Sequence, residues 1–119
     1  MALSTNLPIY RPAYELLKLL AKLTQQYPRG YRQGLAREVF AESQAVVVGI
    51  FRANCAASKG PLIEEVREHL DTLRLLLRLS ADLHLISPAQ HGATAEFTDA
   101  IGKQAAGWLS YARKAPDAR

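Results

Sequence analysis

The sequence predicts an all-α protein folded as an antiparallel up-and-down four-helix bundle. Three observations predict it: four stretches with apolar residues at helical spacing, Gly and Pro punctuation between them, and no sustained alternation of the kind a half-buried strand requires. The chain has 119 residues, 49% hydrophobic and 22% charged. That length suits a single domain over 1–119, with a core over about 10–113. Roughly two-thirds of the unfolded surface becomes buried at this size, so no covalent staple is needed.

The first helix is expected over 12–27, where Leu16, Leu17, Leu20, Leu23 and Tyr27 form one stripe. The stretch Pro28 to Gly34 interrupts it. The second helix is expected over 31–58, with Leu35, Val39, Val46 and Ile50 on one line and Phe40, Val47 and Phe51 on a neighbouring one. Ala45 to Phe51 is rich in β-branched residues, yet the flanks Glu38 to Ala45 and Arg52 to Ala57 are ordinary helix formers. The pair Gly60-Pro61 then starts a third helix over 61–85, with Pro61 expected at its first position. Ser87-Pro88 starts the fourth over 88–113, where Ser87 and Gln90 make a capping box. Its apolar line is Phe97, Ile101, Ala105, Trp108 and Ala112. Short turns between such helices force antiparallel neighbours.

The third helix carries more apolar surface than a bundle core uses. Leu62, Val66, Leu70, Leu73, Leu76, Leu77 and Leu83, with the flanking Leu75 and Leu79, spread over an arc of about 220° at helical spacing, against the ~100° that a core face occupies. An exposed patch of that size predicts self-association. Gly102 and Gly107 are expected to allow close helix approach, and Trp108 to fill the gap between elements.

The formal net charge is +4, unevenly spread. Residues 1–35 hold five basic and one acidic residue, whereas 61–86 hold three and five. Arg29, Arg32 and Arg37 cluster around the first turn, with Lys18 and Lys22 behind them. On the third helix Arg67, Arg74 and Arg78 share one ridge, since offsets of 7 and 11 residues return to nearly the same face. Asp71 and Asp82 stand four residues beyond Arg67 and Arg78, as in an i,i+4 ladder worth ~0.3–0.5 kcal/mol per pair. A net positive charge permits an acidic partner such as nucleic acid. Tyr10, Tyr14, Tyr27 and Tyr31 carry rings able to stack on bases, although aromatic residues near bundle ends are expected to close the core.

A cytoplasmic location is expected. The single Cys55 makes no internal disulfide and is expected to pack as a small apolar residue. No apolar run approaches the ~18 residues of a membrane span, and Met1 to Pro8 lacks the pattern of a secretory leader. No cofactor or metal is expected: the residues three before His69, His84 and His91 are Val66, Ala81 and Pro88, so the Glu-x-x-His pairs of di-metal bundles are missing. Phosphate-binding glycine loops and nucleophile elbows are missing too. One enzyme pattern stands out. Arg78-Leu-Ser-Ala-Asp-Leu-His84 has the Arg-x5-His spacing of the helical HEPN ribonucleases. It departs from them in having Leu79 after the Arg, where the pattern is polar, and in lying on the third helix. A helix-terminal His near carbonyl ends is the simpler reading, and the chain is expected not to be an enzyme.

Pro28-Arg29, Gly34-Leu-Ala-Arg-Glu38, Leu73-Arg74-Leu-Leu-Leu-Arg78-Leu, Ser87-Pro88-Ala-Gln90, Ile101-Gly102-Lys-Gln and Gly107-Trp108 follow one another in an order that resembles a known family. These are the small four-helix-bundle proteins that include Avd, the accessory variability protein of diversity-generating retroelements, and the proteins encoded in intervening sequences of ribosomal RNA genes. The resemblance runs from about Tyr10 to Arg113. It implies a non-catalytic homo-oligomer, pentameric in the structurally known branch, that binds the retroelement's reverse transcriptase and template RNA and supports mutagenic cDNA synthesis. By the same resemblance Arg74 and Arg78 match a basic pair implicated in partner binding. Arg29 and Arg37 match basic positions beside the first turn, and Arg113 and Lys114 a basic tail. This chain departs in opening its third helix with Glu64, Glu65 and Glu68. The alternative within the family is an intervening-sequence protein with no retroelement partner.

Overall fold

The computed structural model describes residues 6–114. Four long helices carry the fold: α1 (Tyr10–Leu23), α2 (Arg37–Cys55), α3 (Gly60–Asp82) and α4 (Pro88–Lys114). Among the described residues there is no strand. Helix α2 packs on α3, α3 on α4, and α1 on both α2 and α4, in a body of 49 × 23 × 20 Å. One core runs through all four helices, built on Leu16, Leu20, Val39, Ile50, Leu73 and Ile101, each at most 1% exposed. A smaller cluster of Ala53, Ile63 and Leu109 closes one end, and Trp108 packs against both clusters, as expected of a gap-filling ring.

Helix ends depart from the sequence pattern where local chemistry intervenes. Helix α1 starts two residues before the expected Pro12 and ends at Leu23, followed by a 3-10 turn, Thr24–Gln26. Tyr27 is extended (φ −64°, ψ 142°), as the residue before a proline must tend to be. Its ring still reaches the core, and its hydroxyl donates to Ser80 Oγ at 2.8 Å while Ser80 Oγ donates to the Leu76 carbonyl at 2.8 Å. Burial raises the Tyr27 phenol above its ordinary pKa, with the Ser80 hydrogen bond opposing.

The expected second helix, 31–58, is three pieces. A single turn, Arg29–Tyr31, leads into a π-helical turn, Arg32–Ala36, and only then into α2. At the other end Ala56 is extended, and Lys59 folds back so that its Nζ donates to the carbonyls of Ala53, Asn54 and Ala56 at 3.2, 2.8 and 2.9 Å. An ammonium satisfying the last carbonyls ends the helix three residues early.

Helix α3 begins one residue sooner than expected, with Pro61 second in it, and ends at Asp82. Leu85 N–H donates to the Ser80 carbonyl at 2.9 Å and His84 N–H to the Ala81 carbonyl at 3.0 Å, the two bonds of a Schellman cap. His84 occupies its left-handed position at φ 60°. The α4 start is as expected: Ser87 N–H donates to Gln90 Oε1 at 2.8 Å and Gln90 N–H to Ser87 Oγ at 3.0 Å.

Two packing expectations are corrected. A side chain at Gly107 would meet nothing within 4 Å, so that glycine is on open surface and not at a close helix approach. The close approach is at Gly49, where a Cβ would lie 2.7 Å from Val66 Cγ2. Cys55 is exposed instead of packed, because α2 turns it outward in its last turn.

Candidate functional site

The basic residues singled out in the sequence fall into two groups with different electrostatics. On α3 every arginine of the ridge meets a carboxylate. Arg67 pairs with Glu64 at 3.0 Å, Arg74 with Asp71 at 3.1 Å, and Arg78 with Asp82 at 3.3 Å. The expected Arg67–Asp71 rung is replaced by i,i+3 pairs, because Arg74 turns back onto Asp71.

Arg74 is more than a ladder member. Its guanidinium lies across Gly102, where a Cβ would come within 2.7 Å of one terminal nitrogen. From there it donates to the Thr98 carbonyl at 3.0 Å and stands 3.8 Å from Asp99. Gly102 therefore makes room for an arginine and not for a second helix. Arg74 bridges α3 to α4 through its bond to the Thr98 carbonyl, whereas Arg78, with a side chain 71% exposed, pairs with Asp82 of its own helix. Arg74 and Lys103 share the α3–α4 groove with Asp71 and Asp99, so that groove carries both signs of charge.

The tail residues diverge as well. Arg113 stands 4.0 Å from Glu64, linking the end of α4 to the start of α3, and Lys114 is exposed.

The other group surrounds the first turn. Among the described residues no ion pair involves Arg29, Arg32 or Arg37, nor Arg11 and Lys22 on the exposed side of α1. Arg32 is held by backbone: its Nε donates to the Tyr27 carbonyl at 3.1 Å. Arg32 and Arg37, with Ala21, Gln25, Ala36 and Phe40, line an open groove of about 380 Å³ between the end of α1 and the π-helical turn. Lys18, with an exposed i,i+3 pair to Glu15, lies one turn further along α1.

Aromatic rings continue this face. Tyr10 stacks on Tyr14 at 5.6 Å and on Phe51 at 5.7 Å between ring centroids, joining α1 to α2. Of the four tyrosines expected to close the core, Tyr27 does so, and Tyr10 packs against that core half-buried. Tyr14 and Tyr31 are instead 42% and 37% exposed, because α1 turns Tyr14 outward and Tyr31 sits in the surface turn ahead of α2. Phe51, expected on an apolar line, is also 38% exposed.

The surplus leucines of α3 are on the outside. Leu75, Leu79 and Leu83 are 66%, 43% and 42% exposed, and their i,i+4 spacing sets them in one stripe nearly opposite the buried Leu73 and Leu77.

His84 forms the α3 cap described above, exposed, with Arg78 six residues before it held by Asp82. His69 Nδ1 meets Glu42 Oε2 at 2.7 Å between α2 and α3. Among the described residues no three of His, Cys, Asp and Glu gather as a metal site would require, and no helix is long and apolar enough to cross a membrane. Set against models of known families and against curated proteins, the chain matches none.

Proposed function

We propose that this chain is a non-catalytic accessory protein of a diversity-generating retroelement, acting in the cytoplasm on the reverse transcriptase and its template RNA. The observation that carries the proposal is the set of cations without an ion pair among the described residues, Arg11 and Lys22 on α1, Arg29 and Arg32 ahead of α2, and Arg37 at its start. Such a surface repels its own members and is relieved by a polyanion, and the order of motifs from Tyr10 to Arg113 resembles the Avd-type proteins. We further propose an antiparallel up-and-down bundle. Links of four residues (56–59) and five residues (83–87) leave α2, α3 and α4 little choice but to reverse direction.

A homo-oligomer, pentameric as in the resembled family, gives the Leu75, Leu79 and Leu83 stripe a cover. Light scattering tests it. Leu75→Glu/Leu79→Glu should reduce the particle to a monomer, and a wild-type particle of 13.1 kDa at micromolar concentration refutes it. The accessory role is tested in the genome and at the bench. A neighbouring reverse transcriptase gene with paired template and variable repeats, whose purified enzyme binds this chain, supports it. A position inside a ribosomal RNA gene assigns the chain to the intervening-sequence branch instead. RNA cleavage abolished by His84→Ala would make it a HEPN-like ribonuclease.

A further inference from the structure

We propose that the α1–α2 face is a stacking track for single-stranded nucleic acid, with Tyr14 and Phe51 as base platforms and Lys18 and Arg37 as phosphate contacts. This rests on the RNA-binding reading above and assigns it to a surface other than the α3 ridge.

Helical spacing builds the track. Tyr14, Lys18 and Ala21 are separated by 4 and 3 residues, and so lie along one line of α1, with Gln25 in the 3-10 turn that follows it. Phe51, Gln44, Phe40 and Arg37 follow a line on α2, with Val47 between Phe51 and Gln44 buried in the core beneath it. The lines are joined at both ends. Tyr10 stacks between Tyr14 and Phe51 at one, and Ala21 and Gln25 share the 380 Å³ groove with Phe40 and Arg37 at the other. Fourteen residues of α2 separate Phe51 from Arg37, about 21 Å at ~1.5 Å per residue.

Three features fit a single strand better than another occupant. Tyr14 stays 42% exposed although it stacks on Tyr10 at 5.6 Å between ring centroids, and Lys18 Nζ lies over its ring at 5.8 Å from the centroid, where a base and its phosphate would share the cation. The charge along the track is basic, with Glu15 the one acid on the exposed side of α1 and already shared with Lys18. A duplex hides its base faces, so exposed rings gain nothing from it, whereas a single strand offers bases to rings and phosphates to cations together.

The test uses the full chain with a fluorescein-labelled oligouridine of about 12 nucleotides, and an RNA duplex of equal length, by anisotropy at several salt concentrations. Tyr14→Ala and Phe51→Ala should each weaken oligouridine binding about fivefold or more and leave duplex binding unchanged, and Tyr14→Phe should bind as wild type. Lys18→Gln/Arg37→Gln should make the dependence of log K on log salt shallower by about 1.4, at about 0.7 per lost phosphate contact. Circular dichroism and light scattering on each variant establish fold and particle size. Wild-type affinity in both aromatic variants overturns the track while leaving the RNA-binding reading intact. So does equal loss on the duplex, or a change in particle size without a change in affinity, which makes this face a contact between copies. A wild-type chain that binds neither probe at low salt overturns the RNA-binding reading itself, and the track with it.

Discussion

Replacing Gly49 by alanine should destabilise the protein although the same change elsewhere on a helix stabilises it. A Cβ at Gly49 would stand 2.7 Å from Val66 Cγ2, where carbon atoms pack at ~3.5–4.0 Å. Val66 is fully buried in α3, and a valine in a helix has essentially one χ1 rotamer to use. The overlap of about 1 Å must therefore be met by parting α2 from α3, at about 1–3 kcal/mol. Alanine returns about 1 kcal/mol of helix propensity, for a net loss of about 0–2 kcal/mol. Gly107 in α4 supplies the control: it is exposed and a Cβ there meets nothing within 4 Å, so Gly107→Ala should gain about 1 kcal/mol. Urea unfolding at fixed protein concentration reads the difference between the two, about 1–3 kcal/mol, as a shift in midpoint at constant slope. In a Val66→Ala background the clash is gone, and Gly49→Ala should then stabilise. A Gly49→Ala midpoint that rises as far as that of Gly107→Ala in the wild-type background refutes the close approach.

Arg74→Ala should cost about 1–2 kcal/mol, because it removes a charged donor from the Thr98 carbonyl between α3 and α4, while Arg78→Ala should cost about 0.5 kcal/mol or less; equal urea midpoints for the two would contradict the Arg74 bridge. Tyr27→Phe should lose about 1 kcal/mol at about pH 8. Its deficit should shrink toward about pH 11: with the folded phenol raised above 10.0, the wild-type contribution is complete below the unfolded pKa and is lost as pH rises through the folded one. An unchanged deficit in urea unfolding at the two pH values would remove that burial effect. His84→Gly should raise stability by about 1 kcal/mol, since glycine takes φ 60° without the penalty a Cβ brings; thermal unfolding that shows a lower midpoint would give His84 a contact beyond the cap.

Helical periodicity along the chain accounts for the four long helices and for most of what they bury. Periodicity marks Leu16, Leu20, Val39, Ile50, Leu73 and Ile101 as core because a helix repeats its face every 3.6 residues whatever its neighbours are. The Ser87 and Gln90 cap was equally legible, since both partners lie within four residues. The excess of leucine on α3 was countable too, and Leu75, Leu79 and Leu83 are indeed outside. Relations between residues far apart in the chain arise from packing alone. Arg74 and Arg78 look alike in sequence, four residues apart on one ridge, yet only Arg74 finds Gly102 and the Thr98 carbonyl across a helix interface. Gly49 and Gly107 are both helical glycines, and nothing local says which one faces Val66. Lys59 reaches back over the end of α2, a contact set by the path of a turn and not by propensity. The charge of the first 35 residues was plain from composition, but its meeting with Tyr14 and Phe51 on one face needs α1 laid against α2. Periodicity fixes which side of a helix is apolar; which helix covers that side, and what is left uncovered, depends on packing that no single segment encodes.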